Sequence, residues 1–436
     1  LYEQNYLFFL SFLFYNCIME IKRAKYEGTI TIPGSKSQTI RAFLIAFASR
    51  GKSTIHRPLL SADTLSCLSS IKELGAKVEI EEKTVIIDST ELILDKEKDI
   101  VVDAGNSGTT LALLAPIVAT MPVRCTFTGD EQLKKRPFGP LLSSLKDLGA
   151  TVESKDGFPP FTIQGPIRGG ETTIECKTSQ YLSGLLLSTP LAKGNSNINC
   201  SLLFEKPYVN MTLEWLDKER IKYSITDDLM HSFIEGGQHY TLKEETIEGD
   251  YSSATFFMVL AAIQGTRIRL LNLRENTTQG DKRVLEVIQK MGASVCRLNN
   301  NEVIVKGPTT LNGGEFDIND IPDALPSLAV LAAFAKGKTI LKNVEQARIK
   351  ETDRISVMTT ELKKLNVEIE EMRDGLIING KGHISGGKVS GHKDHRIIMA
   401  LAIAGTKADE DVIIDDTKEA DVTFPSFFTL LKSLEA

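Results

Sequence analysis

SKSQTIRAFLIAFAS, from Ser35 to Ser49, is a short polar start followed at once by an apolar, alanine-rich stretch, and the same pattern returns five more times. The further copies are NSGTTLALLAPIVA from Asn106, TSQYLSGLLLSTPLA from Thr178, DYSSATFFMVLAAI from Asp250, DALPSLAVLAAFA from Asp323 and DHRIIMALAIAG from Asp394. With Ser37, Ser107, Ser179, Ser252, Asp323 and Asp394 as markers, the steps are 70, 72, 73, 71 and 71, a period of about 72 residues. One unit is therefore used six times. A Ser, Thr or Asp start leaves the free N–H groups and the positive dipole end of each helix available to anions.

A second series keeps the same period. LSSIKELG ends at Gly75, LSSLKDLG at Gly149, LEVIQKMG at Gly292 and TTELKKLN at Asn366, with EWLDKERIKYSIT near Ile221 as a degraded middle copy. In each, Leu or Met at helical spacing gives way to a residue that tolerates the left-handed conformation, then to strand-like alternation such as VEIEEKTVIID. Each unit reads as helix, strand, helix and then a strand pair. The last helix, VTFPSFFTLLKSLEA, leaves the sixth unit without that pair, and MEIKRAKYEGTITIPG near the amino terminus is expected to supply it. The organisation expected is α/β with two domains of three units: residues 19–33 plus 248–436 in one, and an inserted block, 34–247, in the other. Two crossovers joining the domains have the geometry of a hinge, with a ligand cleft between.

The chain has 436 residues, too many for a single core, and 51 basic against 57 acidic residues give a net charge of −6. That balance argues against a nucleic-acid or membrane surface but permits a small focused basic site. Cys17, Cys67, Cys125, Cys176, Cys200 and Cys296 are scattered without a CxxC pair, as free thiols in a reducing cytoplasm would be. Residues 1–18 lack a basic start and carry an apolar run too short for a span, so they read as an upstream leader outside the fold, with Met19 as a plausible start and a membrane or export segment as the alternative.

Chemistry shows where the repeats break pattern. Lys36, Arg41 and Arg396 sit at polar helix starts, and Arg136, Lys350 and Arg354 lie in loops before second helices. Single cations of this kind usually only solvate loops. Six at equivalent repeat positions in an acidic chain point to polyanionic ligands, whose oxygens suit guanidinium forks and helix starts. Asp323 in IPDALP and Glu351 in IKETDR are then the candidates for proton transfer. Their plainer readings are a helix cap for Asp323 and a partner of Lys350 or Arg354 for Glu351. GTITIPGSKS lacks P-loop spacing, which argues against a nucleotide kinase, no GxGxxG follows a strand, and His392 with His395 has no third ligand, so no metal site is expected.

PGSKSQTIRA, GNSGTT, RPFGPLLSSLKDLGA, SQYLSGLLLSTPLA, EGDYSSA, IPDALPSLAVLAAFA, IKETDR, DHRIIMALAIAG and TFPSFF, in that order from Pro33 to Phe428, resemble signature segments of the EPSP synthase family. The resemblance implies a two-domain inverse α/β barrel of six βαβαββ units. It also implies transfer of the enolpyruvyl group of phosphoenolpyruvate to the 5-hydroxyl of shikimate 3-phosphate, by addition and elimination, in aromatic amino acid biosynthesis. A cytoplasmic monomer working on two small molecules, without metal or organic cofactor, is the expectation.

By position, the resemblance makes Asp323 the acceptor of the hydroxyl proton, and gives Lys36 and Glu351 the proton added to and removed from the methylene carbon. Lys36, Ser37, Arg41, Thr178, Ser179, Gln180, Asp323, Gln346 and Lys350 match contacts to shikimate 3-phosphate. Lys36, Gly108, Arg136, Gln180, Arg354 and Arg396 match contacts to phosphoenolpyruvate. Four residues depart from the family pattern: Ala112 and Val422 stand where many members carry a cation, Gln346 where Asn is usual, and Glu205 where a phosphate-binding Ser is common. A carboxylate at Glu205 would repel a phosphate unless it turns away, so Glu205, Ala112 and Val422 are left out of the expected site.

Two rivals remain. The sister enolpyruvyl transferase for UDP-N-acetylglucosamine carries a reactive Cys before the counterpart of Arg136, which GDEQLKKRPFG lacks. A non-catalytic anion-binding repeat protein explains the cations but not Asp323 and Glu351 together.

Overall fold

The computed structural model describes residues 18–92 and 99–436; the leader expected over residues 1–18 falls, but for its last residue, outside that range. Among the described residues six small sheets form, one per unit. In the unit beginning at Asp99–Asp103, that strand pairs in parallel with Arg124–Thr128, which pairs antiparallel with Phe158–Gln164, itself antiparallel to Thr151–Lys155. Helices Gly108–Val118 and Gly139–Asp147 fill the two crossovers. The unit from Gly170–Cys176 to His231–Ile234 repeats this order, as does the unit containing Ala335–Lys342 and Gly375–Lys381.

Why the helices lie inside follows from their sides. Lys36–Ala48, Gly108–Val118, Ser179–Ser188, Tyr251–Gln264, Leu325–Ala333 and His395–Gly405 are apolar almost all round and buried almost throughout, as only central helices are. The first three pack in series, as do the last three. Strands such as Lys52–His56 and Arg124–Thr128 alternate buried with part-exposed residues, so their sheets lie outside the helices. Second helices stop where the backbone turns left-handed: Gly75, Gly149, Gly292, Asn366 and, in the degraded copy, Arg220.

Two hydrophobic cores result. One gathers residues 21–32 and 251–434, the other residues 40–247. The chain crosses between them twice, and each crossing falls between the first strand and the first helix of a unit. Gly28–Thr31, which precedes the helix Lys36–Ala48, pairs with Arg267–Leu271 on the other side. Glu244–Thr246, which precedes Tyr251–Gln264, pairs with Lys52–His56. The two units thus exchange first strands. This corrects the expectation that both amino-terminal strands close the sixth unit: only Met19–Ile21 does, antiparallel to Val412–Ile414. Gly28–Thr31 is drawn instead to the sheet that has no first strand of its own.

The crossings run side by side. Ser35 donates its N–H to the Glu248 carbonyl at 2.8 Å, and Asp250 donates to the Pro33 carbonyl at 2.9 Å, around a Gly34–Gly249 bridge. Neither glycine has room for a side chain: a Cβ on Gly34 would lie 2.4 Å from the Arg57 carbonyl oxygen, and one on Gly249 2.0 Å from that of Asn272. Gly34→Ala and Gly249→Ala are each expected to lower unfolding stability by about 1–3 kcal/mol, the usual range for overpacking. Gly139→Ala, whose added Cβ meets nothing within 4 Å, serves as the control and is expected to be near neutral. Urea midpoints measure all three, and equal midpoints for all would contradict tight crossings.

Candidate active site

The starts of five of the six central helices open on one cleft between the cores. Its walls include Lys36, Ser37, Arg41, Gly108, Arg136, Ser179 and Gln180 from one side and Asp323, Lys350, Glu351, Arg354 and Arg396 from the other. Twelve residues expected from sequence therefore meet. Thr178 stands behind them, its hydroxyl donating to Glu205 at 3.3 Å. Gln346 is buried away from the cleft walls: its amide donates to the Asn319 carbonyl at 2.8 Å and its Oε1 is buried without a partner among the described residues.

The carboxylates are held by the cations. Arg354, 1% exposed, reaches Asp394 at 2.8 Å, Asp323 at 2.8 Å and Glu351 at 2.5 Å. Arg396 takes the other oxygen of Asp323 at 2.9 Å. Arg136 crosses the cleft to Glu351 at 3.3 Å and donates to Asn106 at 2.9 Å, while its Nε is buried without a partner among the described residues. Gly108 makes that reach possible, since a Cβ there would stand 2.8 Å from the Arg136 guanidinium. Lys36 pairs with Asp63 at 2.9 Å, and Lys350 pairs with Glu205.

Arg41 differs. It is 2% exposed and donates to Thr212, Ser37 and Tyr208 oxygens at 2.9–3.1 Å, with no carboxylate partner among the described residues. Burial lowers its pKa to about 10, with Tyr208 opposing, so it stays charged at neutral pH. A buried cation satisfied only by neutral oxygens is ready for an anionic ligand.

Burial opposes ionisation of Asp323, but Arg396, Arg354, Lys350 and Lys36 outweigh it and hold the carboxyl far below its ordinary range. Glu351 is likewise held well below its ordinary value by Arg354, Arg136, His395 and Lys36, against burial. Asp323 caps no helix: Leu325–Ala333 is preceded by Ala324 with no side-chain cap, and Asp323 lies in the 3-10 turn Pro322–Ala324. Glu351 does pair with Arg354, as its plainer reading has it, and also with Arg136. Burial and the neighbouring Asp323 raise the Asp281 carboxyl to about 6, against Arg396. The Tyr208 hydroxyl stands between the two acids, 3.3 Å from Asp281 and 3.4 Å from Asp323.

Five cleft residues were not legible as such: Asp63, Asn106, Thr109, Tyr208 and His395. Asn106 and Thr109 flank Gly108 in GNSGTT, and His395 lies between Asp394 and Arg396, so adjacency was their signal. Tyr208 and Asp63 carried none. Glu205 does not turn away from the cleft. It lines the cleft, 2% exposed. Ala112 is buried within Gly108–Val118, and Val422 does not reach the walls. His392 faces Glu361 at 2.7 Å, apart from His395, and no cluster of three or more potential ligands suits a metal among the described residues. No described helix is long and apolar enough to cross a membrane.

The sequence pattern of the EPSP synthase (3-phosphoshikimate 1-carboxyvinyltransferase) family matches residues 21–431. The 3-phosphoshikimate 1-carboxyvinyltransferase of Acetivibrio thermocellus is 44% identical over 416 residues, 95% of this chain and 97% of that protein. That of Ruminiclostridium cellulolyticum is 43% identical over 417 residues, 95% and 98% of the two. In structure, an EPSP synthase from Acinetobacter baumannii superimposes with a TM-score of 0.81 at 26% identity, over 96% of this chain and 98% of that one.

His395 supplies a test of how dry the cleft wall is. Burial lowers its pKa to about 4 from 6.5, Glu351 and Asp394 pull the other way, and Lys36 and Arg396 add to the lowering. Between pH 4 and 6.5 the unfolded chain binds the proton and the folded chain does not. Stability present above about pH 6.5 is therefore lost as pH falls toward 4, by about 3 kcal/mol in all. His395→Asn is expected to lack that loss, so the stability difference between the two proteins in urea should change by about this amount from pH 7 to pH 4. A pH-independent difference would mean that the ring is solvated.

Proposed function

The chain belongs to the EPSP synthase family, and from that premise we propose how its own residues carry the reaction. The enzyme transfers the enolpyruvyl group of phosphoenolpyruvate to the 5-hydroxyl of shikimate 3-phosphate and releases phosphate. Both substrates are phosphorylated carboxylates. Six cations against four carboxylates on the cleft walls, Asp63, Glu205, Asp323 and Glu351, give a local excess of positive charge in a chain of net charge −6.

In our reading Asp323 accepts the hydroxyl proton as the oxygen attacks C2 of phosphoenolpyruvate, and C3 gains a proton handled by Lys36 and Glu351. The tetrahedral adduct then loses phosphate and returns the proton from its methyl group. A carboxylate with a pKa as low as that of free Asp323 is a weak base. The substrates answer this, because their anionic groups compete for Arg354, Arg396, Lys350 and Lys36, the cations that depress Asp323. As those cations turn to substrate, the carboxyl rises toward its ordinary range and takes the proton more readily.

Shikimate 3-phosphate is read against Ser37, Arg41, Ser179, Gln180 and Lys350, with Thr178 behind, and phosphoenolpyruvate against Gly108, Arg136, Arg354 and Arg396. Gln346 supports the former through the wall. The segments 19–33 plus 248–436 and 34–247 act as two domains that close about the paired crossings, in a monomeric cytoplasmic enzyme. The observation that carries the assignment is Asp323, gripped by two guanidiniums while a fifth of its side-chain surface still faces the cleft.

The purified protein should release phosphate from phosphoenolpyruvate only when shikimate 3-phosphate is added; release driven by UDP-N-acetylglucosamine would overturn the reaction. Asp323→Asn should reduce turnover by about 10²-fold or more while still binding shikimate 3-phosphate in calorimetry. Unchanged turnover would leave Asp323 a structural partner of the two arginines.

A further inference from the structure

Glu205 stands where its own helix has no use for it. It is the residue before Lys206–Lys218, yet its side chain makes no cap there. Its backbone is left-handed, φ +59° and ψ +40°, a conformation uncommon for a side-chain-bearing residue. That turn throws the carboxylate onto the start of a different helix, Ser179–Ser188. One oxygen accepts from the Ser179 N–H at 3.2 Å, the Ser179 hydroxyl at 3.0 Å and the Thr178 hydroxyl at 3.3 Å. The other accepts from the Lys350 ammonium, which reaches it from the opposite core.

An ammonium, two hydroxyls and a helix-start N–H converging on one point form a donor set suited to a phosphate. Here that set is filled by a side chain of the protein itself, 3% exposed, on the wall of the active cleft. We infer that Glu205 is a resident anion that occupies the phosphate subsite of the free enzyme and sets its affinity for the phosphorylated substrate. This rests on the reaction assigned above, in which shikimate 3-phosphate enters this cleft.

An incoming phosphate takes Lys350 and Ser179 from Glu205, which costs affinity through the charge-assisted bonds that the carboxylate loses. The cost falls on the phosphate alone, so shikimate without its phosphate escapes it. Product release gains in the same measure, because the carboxylate refills the donor set as the phosphorylated product leaves.

Calorimetric binding of shikimate 3-phosphate and of shikimate to the wild type, Glu205→Gln and Glu205→Ser tests this. Gln preserves the shape and an acceptor oxygen, and Ser opens the subsite, so the pair does not depend on one variant folding. Both variants are expected to bind shikimate 3-phosphate about tenfold tighter than the wild type, while shikimate changes by less than about threefold. Unchanged or weaker binding of shikimate 3-phosphate, or an equal gain for both ligands, would overturn the role of Glu205. A wild type that neither binds shikimate 3-phosphate nor releases phosphate in its presence would instead overturn the reaction, and the inference with it.

Discussion

A guanidinium that is 1% exposed must be matched, and Arg354 is matched by three carboxylates brought from three places. Asp394 caps the helix His395–Gly405, Asp323 comes from the turn Pro322–Ala324, and Glu351 from the loop before Arg354 itself. Taking such charges out of water costs several kcal/mol each, and removing one partner of a buried pair typically costs ~3–5 kcal/mol. The start of Arg354–Lys364 is thereby locked to the starts of two central helices. Arg396 extends the lock through Asp323, and Arg136 carries it across the cleft through Glu351. The repeat scaffold brings these helix starts together, and the ion pairs fix which side chain faces which.

The same pairs explain how an acidic protein keeps a cationic cleft in order without ligand. Lys36 has Asp63, Lys350 has Glu205, Arg136 has Glu351, and Arg396 has Asp323. In the proposed mechanism each resident carboxylate holds a cation in a position that an anionic substrate then contests. Arg41 stands apart, buried among neutral oxygens. The proposed exchange would also link binding to chemistry, since the cations that substrate would draw from Asp323 are the ones that hold its pKa down.

Much of this was legible in the sequence. A period of about 72 residues gives the unit and its number, and alanine-rich helices with polar starts give the centre of each core. Periodicity is blind to pairing, however. Nothing in GTIT tells that it joins Arg267–Leu271 rather than closing the sixth unit, because the choice depends on which sheet is short of a strand. The site was legible where charge broke the repeat, as at Arg136 or Arg354, and illegible where an uncharged residue serves, as at Tyr208. Glu205 was not legible as a cleft residue for a physical reason: repulsion between a carboxylate and a phosphate speaks of a bound state, whereas here the carboxylate pairs with Lys350.

The most direct test of exchange is a crystal structure of the enzyme with shikimate 3-phosphate bound. Lys350 and the Ser179 N–H and hydroxyl should lie within hydrogen-bond distance of the substrate phosphate, with Glu205 displaced from them. An intact Lys350–Glu205 pair, with the phosphate seated elsewhere in the cleft, would contradict the claim that resident carboxylates hold the places of substrate anions.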